Sequence, residues 1–293
     1  MTILFHRWMD SVNITLLETG RGDIAIDGYV NAKTVPFAIL GEATRGWYEF
    51  TRDGTTVRCE PGTVIFAPPQ TPVRLCHRHD PVARTMDYRF IHVRFVVWGG
   101  VDVFELIRPP MTLSGATAEE LGDAMDRLLA AGEAGAPAVE SLARRQAIGF
   151  DVLRILATQS EIRPHADQLI EGGTPLIPLL KLLHEDFASP WDVERMTRIA
   201  RLSRANLYRR FIGALGVAPM HYLKRLRLDE GASRLMRSKA SVGEVAEHVG
   251  FADISHFSRE FTRRFGAAPS VYRRARVFGD LRTDEDPVVG RRG

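Results

Sequence analysis

The last third of the chain repeats itself, and this repeat constrains the fold more than any other feature. Arg209/Arg259, Phe211/Phe261, Gly216/Gly266, Ala218/Ala268, Pro219/Pro269 and Tyr222/Tyr272 recur at a spacing of 50. Upstream the offset becomes 49, pairing Val193 with Val242, Met196 with Val245 and Leu202 with Phe251, so one unit has a single extra residue at its turn. A period of this length marks a duplicated supersecondary unit. Each copy reads as a short helix, a tight turn and a second helix. In the first, Asp192 caps a helix ending near Ala200, and Ser203 caps a second helix from Arg204 to about Gly213, with Leu207 and Phe211 on its buried face. In the second, Ser241 caps a helix bearing Val242, Val245, Ala246 and Val249, Gly250 supplies the turn, and Asp253 caps the helix bearing Phe257 and Phe261. Gly266 ends that helix and Pro269 starts the next. Between the units, the stretch from Pro219 to about Arg237 reads as one long helix buried through Tyr222, Leu223, Leu226, Leu235 and Met236.

Charge follows the same division. Residues 176–276 carry 19 Lys and Arg against 10 Asp and Glu, whereas residues 1–175 carry 17 against 22 and the last 17 residues carry 3 against 4. A net charge of +3 thus conceals a basic module, the electrostatic footprint expected for double-stranded DNA, with a solvated basic face as the alternative. A rigid connector suits that partner, because two helices entering successive major-groove segments on one face of the duplex lie about 34 Å apart. The residues pointing away from the apolar stripes are the candidates for contact: Arg204, Ala205, Tyr208 and Arg209 on one helix, and Ile254, Ser255, Ser258 and Arg259 on the other. Arg209 and Arg259 occupy equivalent places, and arginine grips guanine O6 and N7 bidentately. The alternatives for each are a phosphate contact or an ion pair within the helix. Arg210, Lys224, Arg263 and Arg264 read as charges that position the backbone of the nucleic acid.

The segment Gly250-Phe-Ala-Asp-Ile-Ser-His-Phe-Ser-Arg-Glu-Phe-Thr-Arg-Arg-Phe-Gly-Ala-Ala-Pro-Ser-Val-Tyr-Arg273 resembles the signature of the AraC-type, arabinose-regulator-like family of transcription factors. The resemblance covers roughly residues 176–276. It implies an all-α domain of two helix-turn-helix subdomains joined by a long helix. It also implies a homodimer that regulates transcription in response to a small-molecule effector, by a change in DNA arrangement or in contacts with RNA polymerase. The first unit departs from the pattern at Thr197, where a small Ala is usual, and at Arg201, where the turn usually has Gly. A side chain in a left-handed turn costs on the order of 1 kcal/mol, which a packed domain absorbs.

Ahead of this module, residues 35–98 read as short strands at 35–40, 47–50, 55–59, 64–67, 73–76 and 90–97, separated by turn residues. The run from Glu60 to Leu75, with its Pro-Gly turn, buried strand and Pro-rich turn, resembles the cupin-like jelly roll that the same regulators carry as a sensor. The fold class is therefore α+β, with a jelly roll and two helices preceding the all-α domain. Sensor barrels of this kind hold an effector, often a sugar, against aromatic faces and a few polar groups. Candidates for that role are Trp47, Tyr48, Arg74, His92, Arg94 and Trp98, with core packing and solvent exposure as the alternative. His77, His79 and Asp80, with His92 nearby, also suggest the metal chemistry of a cupin enzyme fused to a DNA-binding module. Their place after the Pro-Gly strand, in a polar loop, argues against it, so neither metal nor cofactor is expected and the chain is not read as an enzyme. Two helices follow. Leu121, Met125, Leu128 and Leu129 form one stripe, and Leu142, Phe150, Leu153, Ile155 and Leu156 another, which either covers the barrel or forms the dimer interface.

The boundaries expected are a sensing and dimerising domain at 1–159, a polar linker at 160–175, the DNA-binding domain at 176–276 and a flexible tail at 277–293. No apolar stretch approaches the roughly 18 residues of a membrane-spanning helix, and the N-terminus does not read as a secretory signal, so the expected location is the cytoplasm. Two cysteines, Cys59 and Cys76, build neither a disulfide framework nor a zinc site and are expected as buried thiols.

Overall fold

The computed structural model describes residues 12–98, 100–132, 137–163, 166 and 174–274. The expected tail, most of the linker and the middle of the turn at 132–137 lie outside the described residues.

Two antiparallel sheets face one another. The larger runs in the order β1 (Asn13–Ile24), β8 (Met86–Val97), β3 (Ala38–Arg45), β6 (Thr63–Ala67), β11 (Thr112–Ser114), with β9 (Val101–Asp102) also paired to β8. The smaller runs β2 (Tyr29–Lys33), β7 (Val73–Arg78), β4 (Trp47–Arg52), β5 (Thr55–Cys59). A short pair, β10 (Ile107–Arg108) with β12 (Glu161–Ile162), ties the region of the expected linker back to the barrel.

The period of two in the large sheet decides the layering. Ile39 and Ala43 of β3, Ile65 and Ala67 of β6, and Met86, Tyr88 and Phe90 of β8 point between the sheets, where Tyr48, Phe50, Val73 and Leu75 of the small sheet meet them. Their neighbours Ala38, Leu40, Val64, Phe66, Ile91, Val93 and Phe95 point the other way. Over that outer face lie α1 (Ala116–Ala130), through Ala118, Leu121, Ala124, Met125 and Leu128, and α2 (Ala138–Thr158), through Ile148, Val152, Ile155 and Leu156. The buried stripe of α2 differs from the one expected, since Leu142 and Phe150 are 59% and 41% exposed.

Strands β1 and β2 were not anticipated. Gly20 and Gly22 make β1 read as a turn, yet a Cβ at Gly20 would lie 2.6 Å from the Phe90 ring and one at Gly22 2.7 Å from the Tyr88 hydroxyl. The glycines leave room for rings that lie across the neighbouring strand.

Seven further helices complete the described chain: α3 (Ile177–Glu185), α4 (Val193–Ala200), α5 (Arg204–Leu215), α6 (Pro219–Arg237), α7 (Val242–His248), α8 (Ile254–Phe265) and α9 (Pro269–Arg274). The two repeat units attach differently. Leu179, Leu180 and Leu183 of α3, Met196 of α4, and Leu207 and Phe211 of α5 belong to the same continuous apolar cluster as the outer face of the large sheet. The second unit has its own core of Leu228, Leu235, Val245, Val249, Phe257, Phe261, Phe265 and Tyr272. It meets the barrel mainly through polar contacts: Gln70 Nε2 donates to Asp229 Oδ1 at 2.8 Å, the Tyr272 hydroxyl donates to the Thr34 carbonyl at 3.1 Å, and Arg237 pairs with Glu18 at 2.8 Å.

Burial controls several titrations. It holds the His77 imidazole down at about 4 and that of His184 at about 3, and pushes His92 well below its ordinary value. The Asp102 carboxyl is pushed the other way, up to about 7. On unfolding between pH 6.5 and about 4, three histidines take up protons and one aspartate releases its own, a net uptake of two. For these four groups together, stability falls as the pH drops through that window, by on the order of 2 to 3 kcal/mol per pH unit. Denaturant titrations from pH 7 to 4.5 are expected to show this decline, shallower in His77→Gln; a flat profile would contradict the buried neutral imidazoles.

Candidate nucleic-acid interface

Each helix of the repeat starts where its sequence provides a cap. Asp192 accepts from the Arg195 amide at 2.6 Å, and Ser203 from that of Asn206 at 3.4 Å. Ser241 and Glu244 form a reciprocal capping box at 3.1 and 2.5 Å, and Asp253 accepts from the Ser255 and His256 amides at 2.9 and 3.0 Å. Such caps stabilise a helix by about 1 kcal/mol each. The Ser255 amide above all holds the Asp253 carboxyl below the usual carboxylate range.

The turns correspond as closely as the helices. Arg201 and Gly250 both adopt left-handed backbone, φ 52° and 80°. The following amides close equivalent bonds, Leu202 to the Thr197 carbonyl at 3.1 Å and Phe251 to the Ala246 carbonyl at 2.9 Å. Only the second turn excludes a side chain sterically, because a Cβ on Gly250 would come within 2.5 Å of the Ala188 carbonyl oxygen. That approach joins the units, and one side chain completes the joint. Arg227 of α6 donates from Nε to the Phe187 carbonyl at 2.8 Å, from Nη1 to the Gly250 carbonyl at 2.9 Å and from Nη2 to the Ser189 carbonyl at 2.8 Å. A planar guanidinium thus spans the loop before the first unit and the turn of the second.

With Leu207, Phe211, Phe257 and Phe261 fully buried, the opposite faces of α5 and α8 are free. Arg204, Ala205 and Arg209 are exposed and Tyr208 half-buried on α5; Ile254, Ser255 and Arg259 are exposed and Ser258 half-buried on α8. Arg204 lies 3.7 Å from Glu194 and 5.9 Å from the Tyr208 ring, and Arg209 donates to the Asn206 side chain within its own helix. Arg259 has no hydrogen bond or ion pair among the described residues. The charges read as positioning groups behave otherwise. Arg264 grips Asp229 with bonds of 2.7 and 2.9 Å, Lys224 pairs with Glu260 at 2.7 Å, and Arg263 donates to the same carboxylate. Sequence spacing missed the pairs of Asp229 and Lys224 because these two sit on α6, far in sequence from their partners on α8; Arg263 and Glu260 are three apart on α8 itself.

The six residues expected around an effector do not converge. Tyr48 and His92 lie inside the barrel, Tyr48 against His77 with ring centroids 5.1 Å apart and His92 between Phe37 and Phe90 at 4.8 and 4.4 Å. Trp47 lies beneath the Arg58 guanidinium, Arg74 is exposed, and Trp98 is buried in the outer cluster. Arg94 instead lines a cleft between the barrel and the helical module. The interior residues that the sequence did not assign to an effector are Tyr29, Tyr88 and His77, the last considered only for a metal; their rings meet there. His79 and Asp80 are occupied by the turn: the His79 ring bonds the Ile24 carbonyl at 2.9 Å and Asp80 accepts from Val82 and Ala83. Among the described residues no group of three or more His, Cys, Asp or Glu is placed to hold a metal.

Two helix-turn-helix units, each capped, each presenting an exposed basic face, and joined by one long helix, define a double helix-turn-helix protein. Residues 196–275 match the family described as a helix-turn-helix domain. Over 84 residues the chain is 38% identical to the HTH-type transcriptional regulator MtrA of Neisseria gonorrhoeae, which covers 29% of this chain and 28% of that protein. It is 32% identical over 126 residues to a putative AraC-like transcription regulator of Streptomyces lividans, covering 42% and 41%. ToxT of Vibrio cholerae, in a crystal structure with an unsaturated fatty acid bound, superposes over 88% of this chain and 95% of its own with a TM-score of 0.52 at 13% identity. The first two alignments span less than half of either relative, and the third is a likeness of fold. Residues 196–275 are thus a helix-turn-helix domain similar to those of AraC-type regulators.

Removing the Arg227 side chain leaves three backbone carbonyls without their donor. Arg227→Ala is expected to destabilise the protein by about 3 kcal/mol, since a bond to a charged donor contributes about 1.5 to 3 kcal/mol and the three are not additive. Arg227→Lys is expected to recover less than half of the loss, because an ammonium does not span three divergent carbonyls. Urea midpoints of the three proteins check this; equal midpoints would remove the joint from the account.

Proposed function

We propose that the protein is a sequence-specific regulator of transcription that binds double-stranded DNA through α5 and α8 and responds to a small-molecule effector. The observation that carries the reading is the pair of equivalent exposed arginines, Arg209 and Arg259, on capped helices whose units are held together by Arg227. Arg259 is the stronger candidate for a base edge, having no hydrogen bond or ion pair among the described residues. Arg204, Ala205, Tyr208, Ser255 and Ser258 complete the two contacting faces. The names of the relatives support this role.

For the effector, the interior between the sheets brings together the rings of Tyr29, Tyr48, His77, Tyr88 and His92, aromatic and imidazole faces of the kind that hold a small organic molecule. Burial brings Lys33, at the other end of β2 from Tyr29, down to about 7. The fatty acid in ToxT supports a sensor reading of the shared fold without naming the molecule here. Exposed Val139, Leu142 and Phe150 on α2 supply an apolar face for a second copy of the chain, as two-fold paired DNA sites require. The paired arrangement would act in the cytoplasm, with RNA polymerase as the further partner.

Binding of the full chain to DNA from upstream of its own gene, against scrambled DNA over a salt series, tests the reading. Arg259→Ala is expected to cost about 1 to 3 kcal/mol and to relax preference at one base pair, with Arg209→Ala doing the same at a second position. Equal weakening on every sequence would show phosphate contacts only, and binding without any preference would overturn the regulator reading.

A further inference from the structure

The repeat matches Ile254 of α8 with Arg204 of α5 at an offset of 50, and Gly243 of α7 with Glu194 of α4 at an offset of 49. Arg204 and Ile254 are the first residues of their helices, and Glu194 and Gly243 the second of theirs. In the first unit these positions meet through charge, with Arg204 Nη1 3.7 Å from Glu194 Oε1. In the second they meet without any: a Cβ on Gly243 would lie 3.6 Å from Cδ1 of Ile254, an ordinary van der Waals distance. One contact is thus built twice, once polar and once apolar.

The apolar version leaves its side chain open. Ile254 is 48% exposed. The other large apolar side chains exposed on the described part of the helical module are Leu182, Ile212, Met220 and Val271, and of these five Ile254 alone stands at the N-terminal end of a recognition helix. That end is the part of such a helix that meets base edges. Gly243 keeps it clear. Glycine weakens a helix relative to alanine, and no close approach requires one here, since the nearest atoms to an added Cβ are Ile254 Cδ1 and, at 3.8 Å, Ser241 Oγ. What glycine provides is the absence of a longer side chain that would lie over Ile254, as Glu194 lies beside Arg204.

An aliphatic group beside Ser255, Ser258 and Arg259 neither hydrogen-bonds a base edge nor pairs with a phosphate. Its apolar counterpart in the major groove is the C5 methyl of thymine. We infer that Ile254 reads a thymine by van der Waals contact with that methyl, an inference that rests on the DNA-binding reading of α8 above. Ile254 and Arg259 are five residues apart, about 7.5 Å along the helix or roughly two base-pair steps. The thymine therefore lies within about three base pairs of the pair whose preference Arg259→Ala relaxes. Arg204, charged and beside Glu194, supplies no such apolar contact at the matching place on α5, so the two units read unlike sequences.

The test uses the full chain and a duplex that it selects from a random library. Each thymine of that duplex is exchanged in turn for deoxyuridine, which deletes the methyl and keeps every hydrogen-bonding group. One exchange, in the part of the site that α8 reads, is expected to weaken binding about fourfold, the equivalent of one methyl group returned to water. Ile254→Ser should bind thymine and uracil duplexes equally, and Ile254→Val should keep part of the difference. A second arm replaces the same pair by cytosine·guanine and then by 5-methylcytosine·guanine. The added methyl should recover about fourfold with the wild-type chain and nothing with Ile254→Ser. Unchanged preference at the base pair read by Arg209 shows that each variant is folded and seated on its site. Specific binding that no exchange weakens overturns this inference and leaves the regulator reading standing, as does a methyl effect that survives in Ile254→Ser. A library from which no sequence is selected overturns both.

Discussion

A sheet that is apolar on both faces must be covered on both, and the large sheet of this protein is such a sheet. Alternate residues of β3, β6 and β8 leave Ile39, Ile65 and Phe90 on one side and Leu40, Phe66 and Val93 on the other. The small sheet covers the first face. The second requires helices, and α1 and α2 supply them, but the cluster does not stop there: it runs on through α3 into Met196, Leu207 and Phe211. The first helix-turn-helix unit is thus part of the same hydrophobic structure as the barrel, at about 25 cal/mol for each Å² of apolar surface removed from water.

The second unit repeats the local instructions of the first without repeating its surroundings. Both have a capped helix, a left-handed turn and an aromatic or aliphatic pair four residues apart. Yet the first turn tolerates Arg201, while the second requires Gly250 because the Ala188 carbonyl packs against it. The duplication supplies two equivalent faces, and Arg227 with Gly250 converts them into one body. Base recognition by two helices depends on that fixed relation, since a flexible joint would charge the second contact with the entropy of ordering it.

The helical module was legible because everything that specifies it is short-range: caps three residues from their amides, apolar pairs four apart, and a repeat that exposes itself by self-comparison. The barrel was less so. β1 and β2 escaped because Gly20, Gly22 and the charged residues between them mimic a turn, and only the rings of Tyr88 and Phe90, some 70 residues away, explain the glycines. The stripe of α2 was misassigned at Leu142 and Phe150, since periodicity places residues on a face without saying which face is covered. Lys224 and Arg264 were read as charges that position the nucleic acid because nothing local shows that Glu260 and Asp229 neutralise them, whereas the partner of Arg263, Glu260, stands three residues away on the same helix. The scattering of Trp47, Tyr48, Arg74, His92, Arg94 and Trp98 has the same origin: residue type suggests a pocket, but the register of β4, β7 and β8 decides which side each side chain occupies.

The unequal attachment of the two units divides the molecule into parts of different cooperativity. Lifting the second unit from the barrel breaks Gln70 to Asp229, Tyr272 to Thr34 and Arg237 to Glu18, groups that water rehydrates at little net cost, and it uncovers little apolar surface beyond Met236. Lifting the first unit would tear a continuous core. The barrel contacts therefore contribute little to holding the second unit, and what keeps it in place against the seated first unit is the joint of Arg227 and Gly250. The cost of opening that joint sets how far the second foot of the molecule can stray from the first.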